Sequence, residues 1–138
     1  MAASEITPSD KQNVRFTARV MVTALAVGHV GFHWILQSFV VLVPEIQQTF
    51  GLNGVGVGGI QAVRELTSGL ITLPGGVLVG MLRKWWGWLL GICIGASGLG
   101  SLLMGISPAY VLLLIGVAVV SVSHSLWHLP AAASLSHH

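Results

Sequence analysis

The sequence predicts an all-α membrane protein of about four transmembrane helices, and two observations support that prediction. First, 54% of the 138 residues are hydrophobic and only 7% are charged, whereas an ordinary soluble domain carries about 25% charged residues. Second, the apolar residues are collected in four stretches, each close to the roughly 20 residues that a helix needs to cross a bilayer. Because so few charges cannot cover a water-facing surface, the partner implied by the composition is the lipid bilayer.

The predicted elements follow one another with little chain between them. Residues 1–15 form a polar N-terminal tail, and residues 16–138 form a transmembrane bundle. The four predicted spans cover residues 16–43, 55–82, 85–106 and 109–133. Pro44 is expected to end the first span, and Pro74 and Pro130 are expected inside the second and fourth, where a bundle tolerates them. Short linkers predict that neighbouring helices run antiparallel.

Basic residues predict the orientation of the chain. They occur before or at the start of the first span and between the second and third, at Lys11, Arg15, Arg19, Arg83 and Lys84. The other two linkers contain no Lys or Arg. Because cytoplasmic loops carry the excess of basic residues, we expect a multi-pass protein of the cell membrane with a cytoplasmic N-terminus.

Polar residues inside the predicted spans fall on defined helical faces. A central Arg, Lys or Asp costs about 2.5 to 3.5 kcal/mol on insertion scales, so such residues indicate a polar interior or a pathway. The candidates for a substrate or proton pathway are His29, His33, Gln37, Arg64, Glu65, Ser121, His124 and His128. Two alternatives stay open. Each histidine can be a hydrogen-bonded packing residue, and Arg64 and Glu65 can lie near the outer headgroups.

The third span lacks such a face and is predicted to pack against the other three. It contains small residues, which let helices approach closely, at Gly91, Gly95, Ser97, Gly98, Gly100, Ser101 and Gly105. Spans one, two and four are therefore expected to surround the polar interior.

The two His-x-x-x-His pairs, His29/His33 and His124/His128, are candidates for a metal or haem site. The spacing is that of a two-histidine metal face, but the adjacent Glu of zinc hydrolases is absent. A haem held between spans one and four is an alternative. We expect no metal and no cofactor.

Enzymatic and nucleic-acid functions are not expected either. Asp10 is the only aspartate and lies in the N-terminal tail, so no Ser-His-Asp set can form. The glycines between Gly54 and Gly59 are not followed by Gly-Lys-Ser/Thr, as a phosphate loop requires. A surplus of two basic residues is too small for a nucleic-acid surface. Cys93, the only cysteine, has no partner for an intrachain disulfide.

The order of these parts resembles the N-terminal half of major facilitator superfamily transporters over nearly the whole chain. The stretch 42–52 is similar to that family's end of helix one and first external loop, and 73–78 resembles its end of helix two. The family's cytoplasmic loop then reads Gly-x-Leu-Ala/Ser-Asp-Arg/Lys-x-Gly-Arg-Arg. The corresponding residues here are Gly76, Leu78, Gly80, Arg83 and Lys84. Gly80 replaces the acid, so the family's ion pair at the inward gate is not implied.

The residues around His29 and the stretch 124–130 also resemble the fosmidomycin-resistance branch of that superfamily, in which a His-Pro pair ends helix four. The resemblance implies a secondary active transporter of a small solute that works by alternating access. It further implies that the remaining helices of the same protein are missing, and the chain indeed ends at His138 without the basic residue expected of a cytoplasmic flank. Proton coupling through a histidine is a hypothesis. The alternatives are a complete four-helix membrane scaffold or partner subunit, and a haem- or metal-binding membrane protein.

Overall fold

The computed structural model describes the backbone of residues 8–136 and the side chains of residues 16–72 and 74–131. Residues 1–7 of the predicted tail, and His137 and His138, lie outside the described residues. The described chain forms four helices and no strand, and one 3-10 turn, Arg83–Trp85, joins the second helix to the third. The helices are α1 (Pro8–Thr49), α2 (Gly54–Met81), α3 (Trp86–Gly105) and α4 (Tyr110–Ser136). The predicted all-α class is confirmed.

Three helices within the described part of the chain are long and apolar enough to cross a bilayer, where about four had been predicted. The qualifying stretches are Phe16–Thr49, Arg83–Gly105 and Tyr110–Ala131. With 28 residues α2 has the length, but its N-terminal glycines and the neighbouring Arg64 and Glu65 make it less apolar. Large apolar side chains cover the outside of all four helices, among them Trp34, Leu70, Trp88 and Val111. Such a surface suits a membrane-embedded protein.

The first helix is longer at both ends than the predicted span 16–43. It includes residues 8–15 of the predicted tail, and its 42 residues rise about 63 Å, twice the thickness of a bilayer core. It also continues through Pro44 to Thr49. Proline removes one backbone donor but does not prevent the next turn. The expected end at Pro44 was therefore wrong.

The helix α1 is terminated by Gly51, which is the one described residue with a positive φ, 59°. The amide of Leu52 donates to the Gln47 carbonyl at 2.9 Å, and the amide of Gly51 donates to the Gln48 carbonyl at 3.2 Å. This pair of bonds is the Schellman motif, which requires a left-handed residue at the position of Gly51. Glycine adopts that conformation without a Cβ clash.

The central helix of the bundle is α4. In its most apolar stretch 44% of the residues are buried, against 11% in α1 and 17% in α3. It packs on α2 along one side and on α3 along another. Tyr110 at its start donates to the Gly56 carbonyl near the start of α2, so α2 and α4 run parallel. Gly100 near the end of α3 meets Gly116 near the start of α4, so α3 and α4 run antiparallel. The predicted alternation of direction is confirmed.

The helix α1 joins this unit through two apolar clusters. The first contains Phe32, Cys93, Trp127 and Ala131, and it connects α1 with α3 and α4. The second contains Phe39, Ile60, Leu113 and Val117, and it connects α1 with α2 and α4. Because most of the other described side chains of α1, in residues 16–49, are exposed, these two clusters determine which face of α1 meets α4.

Candidate functional site

Four histidines meet where α1 crosses α4, and we call His29, His33, His124 and His128 the histidine cluster. Within each helix the two histidines are four residues apart and therefore share one face. The ring centroids are 4.5 Å apart for His29 and His33 and 4.4 Å apart for His124 and His128.

The two pairs also contact each other across the helices. The rings of His29 and His128 lie 5.3 Å apart at an interplanar angle of 81°, and those of His33 and His124 lie 6.2 Å apart at 89°. One ring nitrogen from each of His29, His33 and His128 can be chosen so that the three atoms lie within 4.8 Å of one another. The sequence had placed these residues on separate stripes, and the fold makes them one site.

Aromatic rings on the same faces fix the position of the histidine cluster. Phe32 and Trp127 are 3% and 2% exposed, and their centroids are 5.3 Å apart. The ring of Phe32 also contacts His124 at 5.7 Å, and the ring of Trp127 contacts His128 at 5.3 Å. A Cβ at Gly28 would lie 2.9 Å from the Trp127 ring, so the helices approach closely here. Rotation of α1 is consequently restricted at the level of the site.

A hydrogen bond within the histidine cluster limits its protonation. The Nε2 atoms of His124 and His128 lie 2.9 Å apart, so one of them carries a hydrogen and the other offers a lone pair. Two fully protonated imidazoles cannot make this contact. In this geometry the pair therefore holds at least one unprotonated nitrogen, which can accept a proton or donate to a metal ion.

Two of the other predicted pathway residues lie beside the histidine cluster. Arg64 of α2 and Ser121 of α4 line a narrow cavity together with Ile35 and Phe39 of α1. Arg64 also acts electrostatically on His124. Since Arg64 follows the start of α2 by ten residues, it lies about 15 Å along the helix. Its position is inside the bundle, next to the interface of α1 and α4.

The remaining two predicted pathway residues are exposed. Gln37 is exposed and lies on the outer groove of α1 that also contains His29 and His33. Glu65 is exposed on α2. The two neighbours Arg64 and Glu65 thus occupy different environments, because adjacent residues of a helix point about 100° apart.

The residues of the loop motif lie at the end of α2 and in the following turn. Gly76, Leu78 and Gly80 belong to α2 and are exposed. Arg83 and Lys84 belong to the 3-10 turn and are exposed as well. The basic pair is therefore free of the apolar core, as a loop at a membrane surface requires.

Sequence reasoning missed the contacts that join α2 to α4. The hydroxyls of Ser68 and Ser125 form a hydrogen bond of 2.8 Å, and Tyr110 donates to the Gly56 carbonyl at 2.6 Å. Ser123, on the opposite face of α4, is also buried and donates to the Val119 carbonyl of its own helix. The periodicity of serines along α4 indicated polar faces, but it could not show that α4 is buried on several sides.

Among the described residues, the histidine cluster is thus the one group in which several imidazole side chains from two helices meet. Imidazoles at these distances can pass a proton, hydrogen-bond a polar solute or coordinate a metal ion. Comparisons with protein-family models, with curated proteins and with solved structures find no match to this chain.

Proposed function

We propose that this chain is the membrane-embedded part of a secondary active transporter that moves a small solute, in the manner of the major facilitator superfamily that its sequence resembles. The observation that carries the proposal is the histidine cluster between α1 and α4. Ionisable side chains inside membrane helices are rare, and they typically mark pathways for solutes, ions or protons. Here four of them converge from two helices at one level of the bundle.

The depth of the histidine cluster agrees with such a pathway. His124 follows the start of α4 by fourteen residues, or about 21 Å of helix, within a bilayer core of about 30 Å. Arg64 and Ser121 line the adjacent narrow cavity and extend the polar surface from α4 to α2. In the proposal, the histidines and Arg64 contact the solute, and an imidazole of the cluster carries a coupled proton.

Proton coupling is tested by replacing one histidine on each helix. We expect the complete gene product, reconstituted in vesicles and screened with a panel of small solutes, to accumulate at least one solute in a pH-dependent manner. His29→Gln combined with His124→Gln should abolish the pH dependence, because glutamine keeps hydrogen-bonding capacity but does not titrate. The matched control is His137→Gln with His138→Gln, which changes two histidines that do not belong to the histidine cluster. If no solute is accumulated, transport is refuted. If the pH dependence survives in the variant with His29→Gln and His124→Gln, proton coupling through His29 and His124 is refuted.

The proposed orientation places the N-terminus and the turn Arg83–Trp85 in the cytoplasm of the cell. We expect a cysteine introduced at Lys84 to react with a membrane-impermeant maleimide in inverted vesicles, and one introduced at Ser107 to react in intact cells. Both variants also carry Cys93→Ser, so that only the new thiol is labelled. The reverse labelling pattern would show that the protein has the opposite orientation in the membrane.

A further inference from the structure

We propose that the histidine cluster binds a transition-metal dication of the zinc class, which bridges α1 and α4. His29, His33 and His128 supply three nitrogens and His124 supplies the fourth. The inference rests on the geometry of these side chains and does not depend on transport.

The spacing of the nitrogens is close to what zinc needs. Zn–N bonds of about 2.0 to 2.1 Å in a tetrahedral site place the ligand nitrogens about 3.4 Å apart. The Nε2 atoms of His124 and His128 lie 2.9 Å apart, and nitrogens of His29, His33 and His128 lie within 4.8 Å of one another. For His29, His33 and His128 the required shifts are at most about 1.4 Å, a distance that imidazole rings cover by small changes of the side-chain torsions.

The donor set selects the metal. Neutral imidazole suits zinc, copper, nickel and cobalt, whereas magnesium and calcium prefer oxygen ligands. The described surroundings of the histidine cluster contain no carboxylate among the ring and hydrogen-bond contacts of the four histidines. Arg64 acts electrostatically on His124, and its positive charge weakens the binding of any cation. We therefore expect a borderline-soft dication bound by nitrogen alone.

A haem does not fit the same histidines. Two axial imidazoles must approach a flat macrocycle from opposite faces, and the space between α1 and α4 is filled by Phe32 and Trp127, whose centroids are 5.3 Å apart. The helices also come so close that a Cβ at Gly28 would lie 2.9 Å from Trp127. A single ion needs no such opening.

The test measures Zn²⁺ binding to the purified full chain in detergent, by titration calorimetry at about pH 7.5, where imidazole is largely neutral. The parent protein carries His137→Gln and His138→Gln, so that the terminal histidines do not bind metal. We expect one Zn²⁺ per chain, and Co²⁺ at the same site should give the intense visible absorption of a tetrahedral complex.

Removal of either helix's pair should weaken binding, because the site takes ligands from both helices. We expect His29→Gln with His33→Gln to lower the Zn²⁺ affinity at least about 100-fold, since even the outer partners of metal ligands contribute about 10- to 100-fold. His124→Gln with His128→Gln should do the same. The matched control is Gln37→Ala, on the same groove of α1, and it should leave the affinity unchanged.

Two results would overturn the proposal: no stoichiometric Zn²⁺ binding by the parent, or parental affinity in the variant that lacks the α1 pair. The α1 histidines are exposed, so this variant is expected to fold, and its helical content is checked by circular dichroism. Zn²⁺ binding without solute uptake would support the metal site and refute transport. Solute uptake without Zn²⁺ binding would support transport and refute the metal site.

Discussion

Single residues determine how closely the helices approach one another, as Gly100 of α3 and Gly116 of α4 show. A Cβ at Gly116 would lie 2.9 Å from the Gly100 carbonyl oxygen and 3.1 Å from the Met104 amide nitrogen. These two atoms belong to the backbone, so no side-chain rotation can relieve their contacts, whereas the nearest atom, Met104 Cγ at 2.5 Å, belongs to a flexible side chain. Small residues at such a crossing permit the contact between backbones that stabilises helix pairs in lipid.

Gly116→Ala is therefore expected to destabilise the protein by about 1 to 3 kcal/mol through overpacking. The measurement is unfolding of the detergent-solubilised chain, followed by circular dichroism. Gly95→Ala is the matched control: a Cβ there meets nothing within 4 Å, and alanine has the higher helix propensity. Equal stability of the two variants would contradict the close contact between Gly100 of α3 and Gly116 of α4.

The hydrogen bond between Ser68 and Ser125 couples α2 to α4 at the level of single side chains. A double-mutant cycle with Ser68→Ala and Ser125→Ala is expected to give a coupling energy of about 0.6 kcal/mol, typical of such bonds between membrane helices. The control cycle pairs Ser68 with Ser123, which bonds to its own helix, and it should give no coupling. A coupling as large in the control as in the test cycle would exclude the assigned partner.

At the scale of the helix, the end of α1 depends on Gly51 and not on Pro44. The first span was predicted to end at Pro44, but α1 continues through that proline to Thr49. The sequence did contain the correct signal, because a glycine followed by an apolar residue is typical of a Schellman end.

Gly51→Ala is expected to lower the stability of the protein by about 1 to 2 kcal/mol, since alanine must adopt a left-handed conformation at φ 59°. Hydrogen exchange is the most local measurement: the Leu52 amide, which donates to Gln47, should lose protection. Gly54→Ala, in open space at the first residue of α2, should leave that amide unchanged. Unaltered exchange at Leu52 in the Gly51 variant would refute the capping role.

At the scale of the whole molecule, α2, α3 and α4 form one packed unit, and α1 is attached through its two apolar clusters. Only the first of these contains Cys93, which is 3% exposed and shares the cluster with Phe32. The accessibility of the Cys93 thiol therefore reports whether α1 packs against α3 and α4.

Phe32→Ala is expected to raise the rate of Cys93 labelling by a membrane-permeant maleimide severalfold, because the buried ring costs about 3 to 5 kcal/mol to remove and leaves a cavity beside the thiol. Phe39→Ala removes a similar ring from the second cluster and should change the rate much less. If both variants label Cys93 at the same rate, α1 does not close the first cluster in the manner described.

The sequence by itself determined the all-α class, the presence of apolar spans and the faces on which the polar residues lie. These properties depend on composition and on a period of 3.6 residues, which are local. It also indicated α3 as a packing helix, although of its six glycines only Gly100 meets another helix among the described contacts.

The tertiary structure alone decided which faces meet. Two His-x-x-x-His pairs more than ninety residues apart in the sequence became one site because Phe32 and Trp127 pack together, and a long-range contact leaves no periodic signal in either helix. The packing of α4 between its neighbours also buried Ser123 together with Ser121 and Ser125. Local periodicity fixes where a side chain points on its own helix, but only the burial of large apolar side chains between helices fixes its neighbours.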